Sequence, residues 1–194
     1  MNIKEKIQTM RVGDERKSLQ WYNSQINRLG LRSVEPEQII ASNVAPATSK
    51  VVWGNMYMFA YVPIHVETLP YFDLFPLVLP FSFVPDGFIG LNMHYLSPKM
   101  RQILFHKLLK ITEQKHITET SKMRARWNLL NTASNMPEIR PCIKRYAMTH
   151  LRTRLLRINP LDWASIIMLP LESFIGETKE RVYRNSALTT QKYA

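Results

Sequence analysis

Four side chains in the middle of the chain have the types that cleave phosphodiesters: Glu67, Asp73, Asp86 and His94. Carboxylates beside a histidine can hold a hard divalent cation that activates water against a phosphate ester. Their spacing does not impose that chemistry. Asp86-Gly87 is a turn signal, and Asp73 stands among Pro70, Tyr71, Phe72, Phe75 and Pro76, where a carboxylate satisfies loop amides. His94 alternates with Asn92 as on one face of a strand. A metal-dependent nuclease is therefore an alternative only, and no catalytic residue, metal ligand or cofactor is assigned.

Cys142 and His150, eight residues apart, reach adjacent faces of a helix at best and have no third group to orient them as nucleophile and base. As the only cysteine, Cys142 also excludes an intrachain disulfide and a Cys-based zinc site, which fits a reducing compartment. The six glycines are isolated except for Gly87-Phe88-Ile89-Gly90, so neither a phosphate-cradling loop nor a dinucleotide fingerprint is present.

The remaining chemistry is cationic. The 194 residues carry 26 Lys and Arg against 15 Asp and Glu, a net charge of +11 that favours a polyanionic partner. The excess is unevenly placed: residues 1–50 contribute +3, residues 51–98 contribute −3, and the rest contributes +11. No acid occurs between Glu138 and Asp162, where Arg140, Lys144, Arg145, Arg152, Arg154 and Arg157 fall. These six are the candidate phosphate-binding residues, arginine being suited to bidentate contacts with phosphate oxygens. The alternative is a solvated helix whose cations pair with acids elsewhere in the fold. Phosphate contacts alone carry no base information.

The elements that would position them read as α+β. Ile3, Ile7, Met10, Leu19, Tyr22, Ile26 and Leu29 recur at helical steps, predicting one or two amphipathic helices broken near Gly13 and ended by Gly30. Residues 34–50 read as a connection. Residues 51–98 contain no Lys or Arg and eleven of the twenty aromatics, including Trp53, Tyr57, Phe59, Tyr61, Phe88 and Tyr95. Short β-rich runs there predict a small antiparallel sheet or SH3-like barrel, its strands kept short by six prolines. Ser97-Pro98 opens a helix through Ile111, a second covers Thr120 to Ala133, and a third is predicted from about Pro141 to Ile158. On that third helix Lys144, Arg145 and Arg152 would share neighbouring faces while Arg154 and Arg157 project elsewhere.

Three parts follow: a helical N-terminal arm and linker (1–50), an aromatic β-rich module (51–98) and a basic helical C-terminal part (99–194). The first twenty residues carry Lys4, Lys6, Arg11, Arg16 and Lys17 without an apolar run, so no signal peptide is expected. The longest uncharged stretches, Val51 to Val66 and Leu74 to Pro85, are too short and too interrupted to span a membrane.

The string Leu69-Pro70-Tyr71-Phe72-Asp73, then Phe75-Pro76-Leu77-Val78 and the run from Asp86 to Pro98, resembles small virion structural proteins of T4-like tailed phages, among them the DNA end protectors. The resemblance implies a virion protein, made in the host cytoplasm, that contacts the packaged genome or neighbouring virion proteins. It names no catalytic residues. Together with the charge it leads to the expectation of a non-enzymatic component that binds duplex DNA through phosphates and protects or anchors a genome end, with no membrane or small-molecule partner. The rival is a baseplate, neck or tail assembly protein whose basic surface meets acidic subunits, which an exposed Ile166-Ile167-Met168-Leu169 would favour.

Overall fold

Helix starts are written locally in this chain. In the structure, a computed structural model that describes residues 1–11, 17–42 and 44–193, Asn2 accepts from the Glu5 amide at 2.9 Å while the Asn2 amide donates to the Glu5 carboxylate at 2.8 Å. This reciprocal cap opens α1 (Ile3–Thr9). Ser18 caps α2 (Leu19–Arg28), and Gly30, at φ 63°, follows its end as expected. The break expected near Gly13 lies outside the described residues. The predicted connection at 34–50 contains a short helix, α3 (Pro36–Ala41), and a short strand, β1 (Ala47–Thr48).

The aromatic block supplies β2 (Met56–Met58), β3 (Phe72–Asp73), β4 (Leu77–Val84) and β5 (Gly87–Asn92). The strand β4 runs through Pro80 for eight residues, longer than the prolines led us to expect. The ladder slips between Pro80 and Ser82, and this irregularity accommodates the residue that lacks an amide donor. Pro85 and Asp86 form the tight turn into β5, with Val84 opposite Gly87. Then come α4 (Pro98–Thr112), capped by Ser97 with Pro98 in its first turn, and α5 (Glu119–Ser134), capped by Thr118.

The helix expected from Pro141 to Ile158 does not form. After a 3-10 turn at Arg140–Cys142 the chain enters β6 (Ile143–Ala147), makes a second 3-10 turn at Met148–His150 and enters β7 (Leu155–Ile158). Pairing overrides the local helical spacing: β6 lies against β5, and β7 against both β1 and β2. Gly87 makes the first contact possible, because a Cβ there would stand 1.9 Å from the Tyr146 carbonyl oxygen. The chain ends with α6 (Trp163–Met168), β8 (Phe174–Ile175) and α7 (Lys179–Tyr193).

The six-stranded sheet has the order β1-β7-β2-β4-β5-β6, every pair antiparallel, with β1 and β6 at open edges; it is a sheet and not a closed barrel. A separate ribbon joins β3 to β8. Alternation sorts the side chains onto two faces. Met56, Met58, Leu77, Leu79, Leu91, Leu156 and Ile158 enter a large core to which each of the seven described α-helices contributes. Tyr57, Phe59, Tyr61, Val78, Phe88, Tyr146 and Leu155 form a second, aromatic cluster on the other face, joined only by Val51, Met148 and Leu151. Among the described residues no α-helix contributes to that second cluster. Among the described residues no helix is long and apolar enough to cross a membrane.

Candidate nucleic-acid interface

The cations of the acid-free stretch are carried on strands and bends. Arg157 stands on β7 directly opposite Tyr57, so its side chain lies on the face of the aromatic cluster. Lys144 stands on β6 opposite Gly90, and its neighbour two residues on, Tyr146, belongs to the aromatic cluster of the same face. In the strand order β7 and β6 stand four places apart, so Arg157 and Lys144 lie on different parts of this face. Arg152 and Arg154 sit in the bend before β7, exposed, on a backbone held to the chain after β2: the Arg152 amide donates to the Ala60 carbonyl at 2.9 Å, and the Ala60 amide to the Thr153 hydroxyl at 3.0 Å. Arg140 is exposed on the 3-10 turn that packs against α7, away from this group.

Their charges are largely uncompensated. Arg145 pairs with Asp86 across the hairpin at 2.7 Å, and this bond holds the Asp86 carboxyl below its usual range. Arg140, Lys144, Arg152, Arg154 and Arg157 enter no ion pair with any described residue. The reading in which acids elsewhere neutralise the stretch thus holds for one cation of the six. Lys144 is the exception in burial. Desolvation pushes its ammonium below the ordinary lysine value, and the nearby Cys142 only partly opposes that.

The acids and histidine that raised the nuclease alternative do not converge. Asp73 and His94 are buried together, Asp73 accepting from His94 Nδ1 at 2.8 Å, from Asn92 Nδ2 at 3.0 Å and from the Phe75 amide at 3.2 Å. Asp86 is engaged by Arg145, and Glu67 is exposed on the 62–70 loop. Among the described residues no three His, Cys, Asp or Glu side chains gather where a metal could be held. Cys142 is buried, its thiol pushed up to about 12 by desolvation, and the length of β6 lies between it and His150, whose Nδ1 meets the Val62 carbonyl.

A second buried network lies behind β5. Arg101, almost fully buried at the start of α4, donates to the Leu96, His94 and Ile167 carbonyls and pairs with Glu172, while the Tyr183 hydroxyl donates to the same carboxylate at 2.7 Å. It ties α4, α7 and the chain after α6 together behind the sheet, so its work is structural. Ile166, Ile167, Met168 and Leu169, proposed as a docking segment if exposed, lie in the main core and offer no surface.

The whole described chain bears on identity. It matches the family model of the phage T4 terminal DNA protecting protein over residues 1–191. The chain belongs to this family. The resemblance carried by residues 69–98 therefore extends through the helices and the basic strands as well. No curated protein and no solved structure matches the chain. The name of the family describes a phage protein that protects the ends of DNA.

Two features of the terminal DNA protecting chain escaped the sequence. One is the exposed pair Trp53 and Phe83, ring centroids 5.8 Å apart, with Trp53 also against Trp127 of α5; an aromatic count alone did not separate these from the buried rings. The other is the half-buried, partly desolvated position of Lys144. Alternation with Tyr146 on a strand was the available signal, and the helical reading concealed it.

Proposed function

We propose that the chain protects a genome end by occupying it, without catalysis, and that it holds the duplex through its phosphates with Arg152, Arg154 and Arg157, assisted by Lys144 and, from neighbouring surfaces, Arg140 and Arg145. The observation that carries this reading is the uncompensated charge: five of these six cations have no acidic partner among the described residues, and a phosphate backbone supplies one. Family membership supplies the DNA end. The location follows from the same reading: the protein is made in the host cytoplasm and acts in the virion beside other virion proteins.

An anisotropy titration with duplex DNA tests it. Joint Arg152→Glu, Arg154→Glu and Arg157→Glu substitution lowers affinity at low salt by orders of magnitude; unchanged affinity contradicts the proposal. One observation favours a protein neighbour in addition. Trp53 and Phe83 are 47% and 49% exposed side by side, an apolar pair of the kind found at protein interfaces. A Trp53→Ala chain that fails to enter particles while binding DNA normally separates this contact from the phosphate contacts.

A further inference from the structure

Phosphates repeat along a duplex, so arginines that hold them cannot by themselves distinguish an end from an interior. A protein that acts at termini needs a second site that reads something only a terminus offers.

The structure holds a cavity of about 340 Å³ between β6, the end of β5 and the 62–72 loop. Four tyrosines, Tyr61, Tyr71, Tyr95 and Tyr146, form its walls, and Lys144 projects into it with Nζ 4.2 Å from the Tyr95 ring centroid. The acid in the wall, Asp73, is not the partner of this lysine. Its two oxygens are taken by the Phe75 amide, Asn92 Nδ2 and His94 Nδ1. Lys144 is therefore a largely desolvated cation facing a cavity, with a ring and no carboxylate beside it, an arrangement that an entering anion stabilises. Ile64 and Leu69, 56% and 41% exposed, line the same cavity and add apolar contact for a flat ring.

We propose that this cavity receives the terminal nucleotide of a DNA strand, its phosphate on the Lys144 ammonium and its base against the tyrosine rings. Aromatic faces take any base, because every base has a π-face, and a lysine takes phosphate as a point charge. The volume is that of a small-molecule site, too small for a duplex. An unpaired or frayed end nucleotide enters it readily, whereas an interior one must first be unstacked and flipped, at a cost that a terminus avoids. The cavity so read supplies end preference and the arginines supply general affinity. This inference rests on the phosphate-binding reading above.

The test compares a blunt, 5′-phosphorylated linear duplex with a relaxed, covalently closed circle of the same sequence, in equilibrium binding to the full chain. The wild-type chain prefers the linear form by about tenfold, as one charge-assisted contact allows, and Lys144→Met removes that preference by weakening the linear form about tenfold more than it weakens the circle. Equal linear preference in wild-type and a folded Lys144→Met chain overturns the cavity proposal and leaves the backbone reading standing. Joint substitution of Arg152, Arg154 and Arg157 without effect on either DNA overturns the backbone reading instead. Should Lys144→Met not fold, a deoxynucleoside 5′-monophosphate added to the wild-type chain decides: displacement of the linear duplex but not of the circle supports the cavity, and displacement of neither overturns it.

Discussion

Arg157 lies directly opposite Tyr57 in the ladder between β7 and β2, which puts an exposed arginine and a fully buried aromatic residue side by side on the sheet face to whose cluster no described helix contributes. Exposed cation and buried ring thus have separate tasks. The ring fixes the strand by packing and the guanidinium is left for solvent or a partner. At Lys144 and Tyr146 on β6 the ring is buried likewise, but the cation is half-buried and turned toward a cavity instead of open solvent.

Because each phosphate contact contributes about 0.9 to the slope of log affinity against log salt, replacing Arg157 alone with Ala should flatten that slope by about one. Filter binding across a salt series reads it directly. The melting temperature should stay unchanged, since the side chain is exposed and enters no ion pair with a described residue. An unaltered slope would place Arg157 outside the interface.

Asp86 should compete with DNA for Arg145 under the proposed function. Removing the carboxylate in Asp86→Ala frees the guanidinium that it holds at 2.7 Å, so affinity for duplex should rise several-fold at low salt and the salt slope should steepen by about one. Stability changes little, as expected for an exposed pair. Competition titrations against the wild-type chain measure the difference.

How much was legible before the fold is instructive at particular residues. Ser97-Pro98 and the turn before Gly87 announced α4 and the β4–β5 hairpin correctly, because caps and tight turns are fixed by neighbours in sequence. The strands β6 and β7 were not legible. Ile143 pairs with Leu91 and Ile158 with Met56, separations over which no local pattern specifies a partner, and the intervening leucines and arginines suit a helix equally well. The six cations were identified by composition, yet the helical reading distributed them over the wrong faces. Only the ladder register shows that Lys144 and Arg157 share one face and that Arg140 stands apart.

Gly87 should tolerate no side chain. A Cβ at this position would sit 1.9 Å from the Tyr146 carbonyl oxygen, on backbone that cannot swing aside. Gly87→Ala should therefore push β6 off the sheet, lower the melting temperature by many degrees and weaken DNA binding through displaced Lys144 and Arg145. Calorimetry and a binding titration on the same preparation check both consequences.

Acid should loosen the network behind the sheet in a defined window. Burial alone would raise the Glu172 carboxyl, but the Arg101 guanidinium, the His94 imidazole and the Tyr183 hydroxyl together hold it down to about 2, from 4.5 in the open chain. A depressed carboxyl stabilises the fold fully above the open-chain value and loses that contribution as pH falls toward the folded value. About 3 kcal/mol should thus disappear between roughly pH 5 and pH 2. Urea midpoints across that range should fall in the wild-type chain, with a shallower decline in Glu172→Gln.

Protection itself is the most direct measurement. Linear duplex DNA, incubated with the chain and then with an exonuclease that enters at duplex ends, should survive in proportion to occupancy, while the Arg152→Glu, Arg154→Glu, Arg157→Glu chain should leave it to be degraded at the rate of naked DNA. Equal protection by the two chains would contradict the assignment of these arginines to the DNA.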